Sequence, residues 1–140
     1  MNNQSNITYK DHIPSCESQL MGGFDNKVEV HNAAIKRTFL GIEGHGIFTF
    51  SIELEFGVGG QCFGNYALIS GSKPNHSISL LKDIINVVGV DSWEKLLGKY
   101  VRVVQSHCKV YGIVNITKDT QYLFIDEWFK EHNIDDSKQS

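Results

Sequence analysis

The residues of this sequence with the greatest potential for chemistry are histidines, cysteines and two closely spaced glutamates. The six histidines stand at positions 12, 31, 45, 76, 107 and 132. No two of them are four residues apart or belong to an HExxH motif, the spacing with which one helix presents two imidazoles to zinc. This pattern is typical of solvated or turn histidines, and we predict no metal site.

Glu53 and Glu55 are the candidate paired carboxylates, a pairing that elsewhere cleaves glycosidic bonds or binds metal ions. They stand two residues apart in a strand pattern, so their side chains should share one face at a separation of roughly 7 Å. Their outward neighbours Thr49 and Ser51 supply neither a partner nor a feature that would raise a pKa. A solvated strand face is the favoured interpretation.

Cys16, Cys62 and Cys108 are the cysteines of the chain. Their odd number, wide spacing and lack of a CxxC pair argue against a disulfide framework and against a Cys-rich zinc site. A nucleophilic pair of Cys108 with His107 is disfavoured because adjacent strand residues face opposite sides. The sequence has no GxSxG motif, so we predict no catalytic residue and favour a non-enzyme over an enzyme.

The glycine-rich stretch GVGGQ at 57–61 superficially resembles a phosphate-binding loop. It lacks the GK[ST] ending of a P-loop, and a strand follows it where a dinucleotide fingerprint would have a helix. A tight strand connection is therefore favoured. Gln61, Asn65 and Tyr66 nevertheless offer hydrogen-bonding groups beside flexible backbone, and Arg102 could supply a cation for phosphate. These four residues are the candidate ligand-binding set, and no cofactor is predicted.

Charge and composition exclude several classes of protein. The formal net charge is −3, and Lys36-Arg37 is the only adjacent pair of basic residues, so general nucleic-acid binding is not expected. No apolar run approaches ~18 residues, and the N-terminus lacks the charged and apolar regions of a signal peptide. With the cysteines interpreted as reduced thiols, we expect a cytoplasmic protein without a membrane segment.

Most of these candidate residues lie in segments whose pattern predicts a β-strand. Alternating apolar and polar side chains at 47–56 predict a half-buried antiparallel strand. A long strand at 27–42, with a bulge at 32–34, should pair with it as a hairpin whose turn contains Gly44 and Gly46. Further strands are predicted at 61–69, 100–105, 109–116 and 122–125.

Three helices complete the prediction. The main helix spans 78–88, with Ser77 as N-cap and Gly89 ending it. A short helix begins after a capping box of Asp91 and Glu94, and another spans 126–132. The predicted fold is α+β, an antiparallel sheet of about five to six strands with one main and two short helices. It forms a single domain at 27–131, between a polar flexible arm at 1–26 and a frayed tail at 132–140.

Three blocks of the sequence resemble a family of small bacteriophage and prophage proteins without an assigned activity. The blocks are HGIFTF, FGVGGQCFGNYAL and VGVDSWEKLLGKYVRV, and the likeness covers roughly 27–130. The resemblance carries over no catalytic or binding residue. It implies a phage accessory protein, and small accessory proteins without enzyme motifs often inhibit host defence.

Two functional hypotheses follow. The first is a non-enzymatic binding protein, an anti-CRISPR-type inhibitor that occludes a host defence protein through its sheet edges and through His45 at the hairpin tip. The alternative is a sponge that sequesters a nucleotide immune signal with Gln61, Asn65, Tyr66 and Arg102, in a pocket at a homo-oligomer interface. A small enzyme is the third.

Overall fold

The computed structural model of the protein describes residues 7–14, 27–57, 59–66, 68 and 74–132. Six strands form one antiparallel sheet in the order β3-β2-β1-β4-β5-β6. The predicted α+β class and strand number are confirmed. The strands are β1 (Glu29–Ile42), β2 (Phe48–Phe56), β3 (Gly59–Gly64), β4 (Tyr100–Gln105), β5 (Val110–Asn115) and β6 (Tyr122–Phe124); the helices are α1 (Pro74–Val88) and α2 (Ile125–Glu131), with 3-10 turns at Tyr9–His12 and Trp93–Leu96.

The long strand β1 joins the two halves of the sheet. Its residues 29–34 pair with β4, while 34–42 pair with β2 in the predicted hairpin. The bulge predicted at 32–34 is wrong, because these residues pair with β4 without interruption and the irregularity lies between Ile35 and Arg37. The two alanines that broke the hydrophobic alternation occupy regular strand positions, with Ala33 fully buried opposite Val101.

The two faces of the sheet are packed differently. On one, which we call the helix face, α1 and α2 cover a core that includes Phe50, Ile52, Leu54, Ile84 and Phe129. On the other, the far face, a smaller apolar cluster joins Tyr9 to Val104, Val114 and Phe124. The amphipathic alternation of β2 places its phenylalanines on the helix face, which is why Phe50 is fully buried.

The covering of the far face comes from a segment expected to belong to the flexible arm. Residues 7–14 contain a 3-10 turn, and the backbone N–H of Tyr9 donates a 3.0 Å hydrogen bond to the carbonyl of Asp119. The Tyr9 side chain is buried. The rest of that arm, 1–6 and 15–26, and the predicted tail beyond His132 lie outside the described residues.

Several element ends differ from the prediction. Helix α1 begins at Pro74, so Ser77 lies inside it and is not its N-cap; proline suits the first helical turn because its missing N–H has no partner there. Gly89 ends the helix as predicted, with φ of +90° and its N–H bonded to the Ile85 carbonyl. Asp91 forms no capping box with Glu94, since its carboxylate pairs with Lys95 at 2.7 Å.

The third strand is shorter than predicted and is displaced towards the glycines. It ends at Gly64 instead of residue 69. Gly64 and Asn65 adopt positive φ angles of 129° and 65°, which end the regular strand, although the N–H groups of Asn65 and Leu68 still donate to the Phe50 and Phe48 carbonyls of β2. Asparagine tolerates the left-handed region better than most residues, so this turn is encoded in the local sequence.

Candidate functional site

The structure does not bring the four predicted ligand-binding residues together. Gln61 pairs with Leu54 and so faces the helix side of the sheet, whereas Arg102 pairs with Val114 on the far face. The Arg102 guanidinium donates to the Asn115 carbonyl at 2.7 and 3.0 Å and contacts the Asp119 carboxylate at 2.6 Å. It also lies over the Tyr9 ring. Arg102 therefore has a structural role, because its side chain links β4 to Asn115, Asp119 and Tyr9.

Asn65 and Tyr66 also have structural contacts. Asn65 is exposed, and its side-chain amide donates to the Cys62 sulfur at 3.6 Å. The Tyr66 ring packs against Phe50 and Phe129 at centroid distances of 6.1 and 5.3 Å. Tyr66 therefore contributes to seating α2 on the sheet.

Gln61 is the member of the set with an unused polar atom. Its Nε2 donates to the Ser106 and His107 carbonyls at 3.0 and 3.3 Å, which ties β3 to the β4–β5 turn. Its Oε1 is buried and has no hydrogen-bond partner among the described residues. A buried acceptor without a donor is energetically unfavourable, so this oxygen can accept a hydrogen bond from a ligand.

A groove of about 480 Å³ adjoins Gln61. The His31 imidazole stacks on the Phe56 ring there, with centroids 5.0 Å apart and planes 11° apart. Lys27 and His107 also line the groove. Its residues come from the start of β1 and Lys27 before it, from the end of β2, from β3, and from the end of β4 and the turn after it, so the spacing in the sequence gave no indication of it.

His45 lies at the tip of the β1–β2 hairpin, as predicted, and its side chain is 87% exposed. Glu43 holds this tip: its carboxylate accepts the His45 backbone N–H at 2.6 Å and contacts the imidazole Nδ1 at 3.1 Å. The hydrogen bond with the His45 side chain lowers the pKa of Glu43, against an opposing effect of partial burial. His45 and Glu43 together fix the turn.

The hairpin leaves one side of β1 open. Strand β4 reaches only as far as Ala34 of β1. Ile35 still exchanges backbone hydrogen bonds with Lys99 and Gly98, at 2.8 and 2.9 Å. Beyond the irregularity at Lys36, residues 37–42 pair with β2 on one side, and no described residue pairs with their other side. We call this open side the β1 edge.

The backbone of three residues points out of the β1 edge. The carbonyls of Phe48 and Phe50 bond to Leu68 and Asn65, on the side of β2 away from β1. Residues that face each other in an antiparallel pair either both bond across it or both point away. Ile42 and Leu40, opposite Phe48 and Phe50, therefore direct their N–H and C=O groups outward. Because the backbone direction alternates along a strand, Thr38, two residues before Leu40, also directs its N–H and C=O groups outward.

Large apolar side chains accompany these open backbone groups. Ile42 is 70% exposed, Ile47 46%, Phe39 42% and Leu40 39%. Leu40 and Ile42 stand on the helix face of the sheet and Phe39 on the far face, because cross-strand partners share a face. Soluble proteins usually protect such edges with charge, proline or a covering segment. An apolar edge that no described residue covers is a surface suited to pairing with another strand.

The charged residues near this edge are paired across the hairpin. Arg37 contacts Glu53 at 3.3 Å and Lys36 contacts Glu55 at 3.8 Å, and all four side chains are largely exposed. The two carboxylates are thus members of surface ion pairs, in agreement with the solvated face predicted for them.

A cluster that the sequence did not reveal joins His12, Glu127 and Tyr122. The imidazole Nδ1 lies 2.7 Å from the Glu127 carboxylate, and Nε2 lies 2.8 Å from the Tyr122 hydroxyl. Burial, followed by the nearby charge of Glu127, raises the pKa of Tyr122, which keeps the phenol protonated and a poor base. His12 is over 100 positions away from both partners in the sequence, and these contacts attach the N-terminal turn to β6 and α2.

The thiols and titratable groups show no assembled reaction centre in the part of the chain that the structure describes. Cys62 and Cys108 are free and exposed. Although the Cys62 residue as a whole is exposed, partial burial of its thiol is the main factor that raises the pKa of this group. No three His, Cys, Asp or Glu side chains in the described ranges are grouped so as to hold a metal ion. None of the described helices is long and apolar enough to cross a membrane.

No protein-family model, no curated protein and no solved structure matches this chain. The β1 edge and the groove beside Gln61 are the candidate sites that the geometry of the described residues provides.

Proposed function

We propose that this chain is a non-enzymatic binding protein that docks on another protein through the β1 edge and acts by covering the surface it binds. The observation that carries the proposal is the outward backbone of Leu40 and Ile42, combined with their exposed side chains. A strand that adds to this edge gains main-chain hydrogen bonds and covers apolar surface at the same time.

The β1 edge is also held in a fixed conformation by the rest of the sheet. Residues Ala33 and Ile35 of the same strand are buried in the core, and β2 pairs with β1 along the whole of the hairpin. Binding would therefore order little additional chain, and the entropic cost of association stays low. The expected partner surface is an extended segment with apolar side chains opposite Leu40 and Ile42.

The three phage-like sequence blocks suggest where such binding would be used. We propose a phage accessory protein that acts in the host cytoplasm and blocks a host defence protein, as an anti-CRISPR-type inhibitor does. The HGIFTF block begins at His45 and continues into β2. It therefore belongs to the hairpin that carries the edge.

A pair of matched variants tests this function. Ile42→Glu places a charge on the edge, whereas Ile78→Glu makes the same change on α1 at a similar exposure, 66% against 70%. Tagged wild-type and Ile78→Glu proteins should retain the same host protein in stoichiometric amount and inhibit its activity, and Ile42→Glu should do neither. Hydrogen exchange on the complex should slow at the outward amides of Thr38, Leu40 and Ile42. Equal behaviour of the two variants, or no inhibition by the wild type, would refute the proposal.

The second candidate is a sponge for a nucleotide-type signal, favoured by the unpartnered Oε1 of Gln61 beside the stacked pair of His31 and Phe56. A planar base with an N–H donor could satisfy that oxygen. The phosphate would have to use Lys27, because Arg102 faces the other side of the sheet. A nucleotide panel should raise the melting temperature of the wild type but not of Gln61→Leu. The absence of any shift with the wild type excludes this candidate.

A further inference from the structure

We propose that, in the free protein, a second copy of the same chain occupies the β1 edge, so that two sheets join through their β1 strands as a two-fold symmetric dimer. The inference rests on the proposed function, since it takes the β1 edge to be the docking surface, and it names what regulates access to it. The partner protein would then have to displace a copy of the chain.

Backbone geometry limits how two edges can meet. Outward-pointing residues must oppose outward-pointing residues if their N–H and C=O groups are to bond. A two-fold axis at Leu40 satisfies this requirement: Leu40 lies opposite Leu40 of the second copy, and Thr38 lies opposite its Ile42. This register gives about six backbone hydrogen bonds across the interface, and it brings the two exposed leucines into contact on the helix face.

The far face fits the same register. Phe39 comes opposite Gly41 of the second copy, and by symmetry Gly41 comes opposite Phe39 of the second copy. Each phenylalanine of the interface therefore faces a glycine across it. The Phe39 ring already lies over Gly41 of its own strand, 3.2 Å from the position of an added Cβ. The glycines leave space for both rings, and an aromatic ring that covers a cross-strand glycine is a known stabilising arrangement. A side chain at position 41 would crowd this junction.

Charge selects the antiparallel orientation. Arg37 would face Glu43 of the second copy, whereas a parallel arrangement would set like residues side by side. Arg37 shares the far face with its partner Glu53, and strand alternation sets Glu43 on the same face. Arg37 is 79% exposed, and the carboxylate that the described residues place beside it is that of Glu53, at 3.3 Å. A second carboxylate from the copy can approach the free side of the guanidinium. The edge is therefore complementary to itself in hydrogen bonding, in shape and in charge.

The mass of the purified chain at several concentrations is the first test. Sedimentation should give twice the chain mass of 15.8 kDa, with dissociation on dilution. Opposite charges at the axis then test the register: Leu40→Lys and Leu40→Glu should each weaken self-association at least about 10-fold, because like charges directly opposite repel. An equimolar mixture of the two should regain a dimer. Ile78→Lys and Ile78→Glu, separate or mixed, should behave as wild type.

Hydrogen exchange supplies a control within the strand. In the dimer the amides of Thr38, Leu40 and Ile42 should be protected, and dilution should expose them. The amides of Phe39 and Gly41 point towards β2, so they should keep their protection at all concentrations. A wild-type chain that is monomeric throughout, or a charge mixture that fails to restore the dimer, overturns the inference.

Failure of this inference and failure of the proposed function give different results. A monomer that captures and inhibits a host protein removes the dimer and keeps the function. A dimer that dissociates on dilution, but neither binds nor inhibits any host protein as a monomer, keeps the dimer and removes the function.

Discussion

Replacement of Asn115 with alanine is the sharpest test of how the two layers of this fold are joined. Asn115 is 7% exposed at the end of β5. Its Nδ2 donates to the Val87 carbonyl at 2.9 Å, at the end of α1, and its Oδ1 accepts the backbone N–H groups of Thr117 and Lys118 at 3.0 Å each. One side chain thus links the end of the main helix to the β5–β6 turn.

The size of the expected change in the free energy of unfolding depends on which of the lost hydrogen bonds water can replace. A hydrogen bond contributes about 0.5–1.5 kcal/mol net, and a buried group left without a partner costs about 1–3 kcal/mol. The exposed amides of Thr117 and Lys118 can turn to water after the substitution, whereas the carbonyl of buried Val87 cannot do so readily. We therefore expect Asn115→Ala to lower the free energy of unfolding by about 2–4 kcal/mol.

Urea denaturation followed by tryptophan fluorescence measures this change. The midpoint should fall while the m-value stays constant, and protein concentration must be fixed because self-association would also stabilise the folded state. Asn86→Ala, an exposed asparagine on α1, is the control and should stay within about 0.5 kcal/mol of wild type. An Asn115 variant within about 1 kcal/mol of wild type would refute this account of the link.

Three further predictions concern local features. Tyr9→Ala removes the ring beneath Arg102, so the amides of 7–14 should exchange faster and the free energy of unfolding should fall by about 1–3 kcal/mol; unchanged exchange would contradict this. Because the pKa of Glu43 is lowered, the contribution of its carboxylate to stability is present above the unfolded pKa of about 4.3 and is lost as pH falls through the lower folded pKa. At that low pH the His45 amide of the wild type should exchange faster relative to its intrinsic rate, whereas the same amide in Glu43→Gln should show no such change; equal behaviour of the two would contradict this. Because burial raises the pKa of Cys62, iodoacetamide should alkylate it more slowly at pH 8 in the folded chain than in urea, and equal rates would contradict the assignment.

The sequence predicted those parts of the fold that depend on local periodicity. The alternation through Phe48–Phe56 fixes which side chains are buried, and Gly44 and Gly46 mark the turn, so the β1–β2 hairpin was predictable. The bulge was misplaced because two alanines interrupt the apolar pattern without interrupting the backbone pairing. Ser77 was predicted as N-cap because its side chain can cap, whereas the helix begins three residues earlier at Pro74, and proline suits the first helical turn.

The candidate sites were much less predictable, because they depend on contacts between distant residues. Arg102 could be recognised as a cation, but its contacts with Asp119 and Tyr9 arise only when the far face is assembled. The β1 edge exists because β4 is much shorter than β1, which is a relation between strands that lie far apart in the sequence. A single-strand pattern contains no information about where its neighbour ends.

The divided pairing of β1 also has a consequence for the order of folding. The hairpin of β1 with β2 closes a turn of only a few residues, whereas β1 and β4 must close a loop of roughly 60 residues, at a larger entropic cost. During synthesis the hairpin can form while β4 is still within the ribosome. Until β4 emerges, the N-terminal half of β1 has no pairing strand on either side. The nascent chain therefore exposes a longer stretch of unpaired strand backbone than the folded protein does. The chain is therefore most prone to misassociation before Tyr100–Gln105 emerges.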